Sequence, residues 1–294
     1  MSSLFSQLWK IVIICIIAAM LTFAVGIKFL VRDRSLTEMQ KSGVIRIGYA
    51  IEAPYAFLGK NGEPTGESPE IARHIAKELG FSRIEWVQTE FGSLLTGLKD
   101  KRFDVVAAGM FVTSARANMA AFSEPTFKVE PALLVSKGNP DRIHSYEQAF
   151  ALPDLVMAVI FGSVEENLCS SIGFAGRRLI RVPDALTGRI AVETATAGAL
   201  ALSAPTLRWM TMKGQMGKTE MAEPFTPPPL YKKQHLGFGA FAFRKEDQKL
   251  VAAWNRKLKE FIGTPEHLKL VSSFGFGASD LPGSMTTQEI IGGL

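Results

Sequence analysis

Cysteine is nearly absent: Cys15 and Cys169 are the two in 294 residues. Because Cys15 lies inside an apolar N-terminal run, the pair cannot frame a disulfide-built fold, and zinc ribbons are excluded with it. The four histidines, His74, His144, His235 and His267, are too scattered for a metal motif. Long polar tracts and low-complexity blocks are missing as well. With 47% hydrophobic and 21% charged residues the composition is that of a folding chain. An excess of one charge is scarce once it is partitioned. Of the net +5, residues 1–34 hold +3 (Lys10, Lys28, Arg32 and Arg34 against Asp33), which leaves +2 for the rest. There the basic side chains are interspersed with acids, a solvated mixed surface with no nucleic-acid-tracking patch.

What is present begins with length: 294 residues exceed the usual single domain, so one large domain or two lobes is expected. Residues 11–27 carry no charge and 29–31 extend the apolar run, close to the ~20 residues of a membrane-spanning helix. Residues 1–34 are therefore read as an uncleaved membrane anchor. A cleaved signal peptide is the alternative, but no small-x-small cleavage signal follows the run and no cysteine is placed for lipid attachment. Lys10 alone precedes the run whereas Lys28, Arg32 and Arg34 follow it, a bias that by itself favours a cytoplasmic C-terminal part. Long soluble domains are translocated despite such bias.

Residues 35–43 read as a tether, followed by a strand at 44–49 and turns at 52–55 and 61–62. Ser68 is an expected N-cap with Pro69 at the first helical position; Ile71, Ile75 and Leu79 then recur at four-residue spacing until Gly80. A strand at 83–88, a helix at 93–99 and a strand at 103–108 continue a βαβ rhythm. That rhythm predicts an α/β fold with a mostly parallel sheet, helices on both faces and a ligand site beyond the carboxyl ends of the strands. After a strand at 132–136, Lys137-Gly138-Asn139-Pro140 is a turn-rich exit. The rhythm restarts with strands at 156–161 and 178–182 and helices at 164–170 and 186–194. A strand at 236–243 and an amphipathic helix at 247–262 close the pattern. Lobe 1 is thus expected over 44–136 and 240–294 and lobe 2 over 137–239, with hinge strands near 134–137 and 236–240.

Several segments resemble the family 3 extracellular solute-binding proteins, receptors of ABC importers for amino acids and related solutes. They are Val44-Ile45-Arg46-Ile47-Gly48-Tyr49, Gly62-Glu63-Pro64-Thr65-Gly66, Ser68-Pro69-Glu70-Ile71-Ala72, Arg102-Phe103-Asp104-Val105, Gly109-Met110-Phe111-Val112-Thr113-Ser114-Ala115-Arg116 and Phe122-Ser123-Glu124-Pro125. The resemblance covers about residues 44–275 and is strongest in the first lobe. It implies the two-lobed type II periplasmic binding protein fold, closure of the lobes on a solute, a periplasmic location and an ABC permease in the inner membrane as partner. The chain is expected to act as a monomer, without cofactor or catalysis.

Arg116 follows Thr113, a plausible N-cap, so a ligand carboxylate there would meet a guanidinium fork and a helix N-terminus. Amino-acid receptors of this family usually place Ser or Thr where Phe111 stands. Tyr55, Phe91 and Phe111 come from separate segments to the same strand-end region, and aromatic faces attract a delocalised or alkylated cation by roughly 0.5–2 kcal/mol per ring. Glu52 supplies an opposing charge. Core packing is the ordinary explanation for each ring alone. Together Glu52, Tyr55, Phe91, Gly109, Phe111 and Arg116 resemble the ectoine and hydroxyectoine receptors of the family, whose pockets hold a cyclic amidinium between rings and pair its carboxylate with arginine. Gly162-Ser163 precedes a helix, where Ser163 either offers its hydroxyl and nearby N–H groups to that carboxylate or serves as a plain N-cap. Relatives that bind α-amino acids carry an Asp in the second lobe, but the corresponding stretch, Gly198-Ala199-Leu200-Ala201-Leu202-Ser203, offers no carboxylate, and Ser203 is its candidate contact.

The expected ligand is therefore a small zwitterion of the ectoine or amino-acid-derivative type. Two other readings stand beside it. The fold also resembles periplasmic cyclohexadienyl or arogenate dehydratases, with Glu52 as the acid or base. A membrane-anchored ligand-sensing domain working through a separate partner is the third.

Overall fold

The computed structural model describes residues 35–293, and the predicted anchor over 1–34 lies outside them. Among the described residues no helix is long and apolar enough to cross a membrane. The segment expected as a tether is instead a helix, Ser35–Ser42. Leu36 and Met39, one turn apart, pack on the first core, and Gln40 Nε2 donates to the Leu79 carbonyl at 2.9 Å.

Two sheets form the two lobes. The first has the strand order Arg83–Gln88, Val44–Tyr49, Val105–Phe111, Phe238–Phe243, Ala121–Phe122, with Phe127–Lys128 also paired to Phe238–Phe243. The second has the order Leu179–Val182, Met157–Ile160, Ala199–Ser203, Pro131–Ser136, Thr219–Met221. In each sheet three parallel strands carry the βαβ rhythm. The strands that enter from the other lobe run antiparallel to them, because they return from the opposite end. The sheets are thus mixed, more so than the rhythm alone predicts.

The strand expected to end the first lobe belongs to the second sheet: Pro131–Ser136 pairs along its whole length with Ala199–Ser203. Its buried run is compatible with either sheet, so hydropathy could not place it. The crossings lie at Val129-Glu130 and Leu236-Gly237, side by side, with the Val129 N–H donating to the Gly237 carbonyl at 3.0 Å. Gly237 has φ +92°, and a Cβ there would fall 2.2 Å from both the Val129 carbonyl and the Tyr231 hydroxyl. One crossing therefore sits several residues before its expected place and the other inside it.

The Glu67–Glu78 helix buries Ile71, Ala72, Ile75 and Ala76 against the first sheet. It starts two residues before the expected point, with Gly66 as its N-cap, and the Ser68 hydroxyl does not cap it. On the same face, beside it, Gln248–Phe261 buries Leu250, Trp254, Leu258 and Phe261, with Trp254 set edge-on to Phe241 and Phe243, while the opposite face is covered by Leu94 and Leu98 of the Leu94–Lys99 helix. These layers hold rigid the strand ends from which the site is built.

Candidate functional site between the lobes

Glu52 and Tyr55 follow the first strand of the first sheet, Phe91 opens a short 3-10 turn, and Gly109 and Phe111 end the central strand. Arg116 lies on the short helix Ser114–Ala117, where Thr113 is the N-cap: its hydroxyl accepts from the Arg116 N–H at 3.2 Å. From the second lobe come Ser163, just before the Val164–Ile172 helix, and Ser203, at the end of its strand. All eight residues expected from the sequence line one small cavity between the lobes, together with Val164 and Glu165.

The lobes meet across that cavity along two seams. In one, the Tyr55 hydroxyl donates to Ser203 Oγ at 2.9 Å, Ser203 shares a hydrogen bond with Thr206 Oγ1 at 3.2 Å, and Thr206 donates to Glu52 Oε1 at 2.9 Å. Two first-lobe side chains are thus tied through two second-lobe hydroxyls. In the other seam Arg116 donates to the Phe111 carbonyl at 2.7 Å and to the Gly162 carbonyl across the cleft at 2.9 Å. Gly162, at φ +76°, lies against Gly92 so closely that a Cβ on it would come 2.8 Å from the Gly92 Cα. The free space left inside is about 20 Å³, room for a water molecule and far below the roughly 300–1,000 Å³ of small-molecule sites. A solute enters only when the lobes part. Glu52 also borders an open groove of about 530 Å³ on its other side, lined by Ala53, Leu186, Arg189 and Trp209.

The three aromatics converge but do not form a free box. Tyr55 and Phe111 pack edge to face at 6.4 Å, and both contact Phe127; Tyr55 also meets Phe276. Phe91 lies under the guanidinium of Arg116, 5.4 Å from ring centroid to carbon, so its cation partner is already a protein group. Gly109 shapes the site by what it lacks. It sits at φ +62° beside a register shift in the sheet, and a Cβ there would fall 2.5 Å from the Tyr55 ring. Its N–H donates to Ser68 Oγ at 3.0 Å.

In the second lobe one of the two roles open to Ser163 is seen, and a further residue joins the cavity. Ser163 is the N-cap: its hydroxyl accepts from the Glu166 N–H at 3.1 Å, while the Gly162 N–H is taken by Glu166 Oε2 at 2.7 Å. The Ser163 hydroxyl thus caps the helix, and the Glu166 carboxylate ties its first turn back to the preceding Gly162 turn. A second-lobe carboxylate also faces the cavity, not from residues 198–203 but from Glu165, which is buried. In sequence Glu165 reads as one of two acids in a helix first turn, a common surface arrangement; its burial comes from the tertiary placement of the helix.

Burial sets the electrostatics. Desolvation, helped by the nearby Glu165 charge and opposed by the bond from Thr206, pushes the Glu52 carboxyl up to about 7. Glu165 is raised too, by desolvation, against the pull of its own backbone N–H, Arg116 and Ser163. Desolvation lowers Arg116 to about 10, so its guanidinium stays charged at neutral pH. Among the described residues no cluster of His, Cys, Asp or Glu is arranged to hold a metal ion.

With this geometry established, the comparisons with known proteins fall into one group. Bacterial extracellular solute-binding proteins, family 3, match residues 45–277. A protein of Sinorhizobium fredii (strain NBRC 101917 / NGR234), "Probable amino-acid ABC transporter periplasmic-binding protein y4tE", is 33% identical over 264 residues, 87% of this chain and 85% of its own. The crystal structure of EhuB in complex with hydroxyectoine superposes with a TM-score of 0.80 at 28% identity, covering 88% of this chain and 99% of EhuB. The ancestral amino acid-binding protein AncCDT-1, a precursor of cyclohexadienyl dehydratase, gives 0.70 at 26% identity, covering 82% of this chain and 99% of its own. The chain belongs to the family 3 bacterial extracellular solute-binding proteins and has their two-lobed type II periplasmic binding protein fold. It is a solute-binding protein: these relatives are binding proteins, AncCDT-1 being an amino acid-binding precursor of a dehydratase.

Proposed function

We propose that the protein is the periplasmic receptor of an ABC importer, and that it closes its lobes on a small solute bearing both charges, an ectoine-like compatible solute or an amino-acid derivative. The observation that carries this reading is the convergence of Glu52, Tyr55, Phe91, Gly109, Phe111, Arg116, Ser163 and Ser203 on one cavity between two hinged lobes. Paired crossings at Val129-Glu130 and Leu236-Gly237 form the hinge, and closure is driven by the solute's differential contacts with the two walls. In this reading Arg116 exchanges a carbonyl for the solute carboxylate, while Glu52 and the nearby rings meet its cation. The hydroxyectoine complex of EhuB and the amino-acid importer relatives support the solute class. The apolar run at 11–27 supports retention at the inner membrane, with the lobes in the periplasm and a permease as partner.

Calorimetry with ectoine, hydroxyectoine, glycine betaine and a panel of amino acids tests the reading. A saturable heat from at least one, abolished in Arg116→Ala, is expected; folded protein that gives no heat with any of them overturns it.

A further inference from the structure

The cavity is unbalanced in charge. It is lined by two carboxyl groups, Glu52 from the first lobe and Glu165 from the second, against the single guanidinium of Arg116. Tyr55 is the one other ionisable lining group, and burial drives its hydroxyl well above its ordinary value, so it stays neutral. Arg116 does not cancel both acids: its fork is engaged with the Phe111 and Gly162 carbonyls and its face with Phe91. The groups coupled to the Glu165 charge from the surrounding elements are Glu52, Arg116, Tyr55, Tyr146, Cys169 and Tyr231. The tyrosines and Cys169 are neutral at physiological pH, since burial raises all of them. The neighbouring Glu166 has its own partners, the Arg181 guanidinium and the Gly162 N–H. Glu52 and Arg116 are therefore the two charges that answer Glu165.

We propose that Glu165 determines specificity by setting the charge of the closed cavity, so that the solute this receptor retains best carries a net charge of +1 rather than zero. The inference rests on the reading of this cavity as the solute site. An uncompensated charge held between the closed lobes is unfavourable, whereas an added cation brings the three charged groups that line the cavity to neutrality. A neutral zwitterion leaves one carboxylate unanswered and closes the lobes only when Glu52 or Glu165 takes up a proton. The helix start beside Glu165 points the same way: the Glu166 N–H goes to the Ser163 hydroxyl, the Gly162 N–H to the Glu166 carboxylate and the Glu165 N–H to its own carboxylate, so these donors are not left for a second solute anion. Net charge of +1 is met by a basic amino acid, whose carboxylate goes to Arg116, or by a cation without a carboxylate.

Titration calorimetry of the wild-type protein between pH 6 and 9 with ectoine, arginine and choline separates these cases. At pH 8 arginine or choline binds at least tenfold more tightly than ectoine. Affinity for ectoine falls about tenfold per pH unit above neutrality, as uptake of one proton requires, while that for the cation is flat. Arginine without choline supports the charge rule and the carboxylate role of Arg116 together; choline without arginine supports the charge rule but overturns the reading of a solute that bears both charges. Glu165→Gln brings ectoine level with or above the cations. Wild-type binding of ectoine that is pH-independent and tighter than that of both cations overturns the proposal, and needs no variant to fold. Absence of heat with all three at every pH overturns the solute-site reading itself.

Discussion

The first lobe buries charge at both ends of one sheet, and the two ends are built on opposite rules. At one end Asp104 accepts from Arg46 Nε and NH2 at 3.2 and 2.8 Å and from Arg244 NH2 at 3.0 Å, and Arg244 also pairs with Asp247 at 2.7 Å. Although burial opposes ionisation, those bonds hold the Asp104 carboxyl below its ordinary value. At the other end Glu52, joined by Glu165 from the second lobe, lines a cavity with one arginine whose donors go to backbone carbonyls, and both carboxyls are raised. A buried acid that braces the fold is over-supplied with opposite charge; the acids at the strand-end cavity are under-supplied, and a cationic solute can complete them.

The comparison breaks most visibly at its structural end. Asp104→Ala leaves Arg244 buried with one of its two carboxylates lost and is expected to cost about 3–5 kcal/mol in urea unfolding, while the ranking of solutes stays as in the wild type. A changed ranking would show that the two ends are not independent.

Glu67 offers a contrast in sign within the same lobe. It is buried between the Ser68 and Thr126 hydroxyls, at 2.6 and 2.9 Å, and desolvation outweighs those bonds to raise its carboxyl to about 7. From its ordinary value up to about 7 the folded state holds a proton that the unfolded state has released. Stability therefore falls as pH rises through that window and is level above it, by up to about 3 kcal/mol from this group. Asp104 acts oppositely: its contribution is present above its unfolded value and is lost as the medium is acidified through its lower folded value. Thermal melts across pH 4–8 should show the Glu67 slope in the wild type and a flatter profile in Glu67→Gln; an unchanged slope in the variant contradicts the assignment.

Sharpening the cavity end takes smaller changes. Gly109→Ala places a Cβ against the Tyr55 ring in a left-handed backbone position, at an expected cost of about 1–3 kcal/mol and with weaker solute binding, read by denaturation and calorimetry together. Tyr55→Phe removes the bond to Ser203, worth about 0.5–1.5 kcal/mol. It should lower solute affinity a few-fold with little change in unfolding midpoint; an equal loss in both would make that hydroxyl a packing element and not a latch.

The sequence was most legible where local pattern and tertiary role coincide. Ile71, Ile75 and Leu79 recur at helical spacing and all are buried on one face. Thr113 caps the turn that carries Arg116. Seven of the eight candidate residues converge because they lie at or after strands whose carboxyl ends the βαβ rhythm had located, whereas Ser203 ends a strand, Ala199–Ser203, that the rhythm had not shown. What was lost depended on partners distant in sequence. Pro131–Ser136 is apolar throughout and carries no mark of which sheet it joins until it pairs with Ala199–Ser203. Ser35–Ser42 is too short to show an amphipathic stripe, and it is the first core that receives Leu36 and Met39. Glu165 and Thr206 look like ordinary first-turn residues of surface helices, yet both are buried where the lobes meet.

A crystal structure of the protein with its solute bound tests the central claim most directly. The account predicts a solute enclosed between the lobes, its cationic part against Glu52 and Glu165 and within reach of Arg116, with Tyr55 and Phe111 as walls. A solute seated instead in the groove beside Arg189 and Trp209, with the Tyr55 to Ser203 and Arg116 to Gly162 bonds intact and nothing between them, would contradict it.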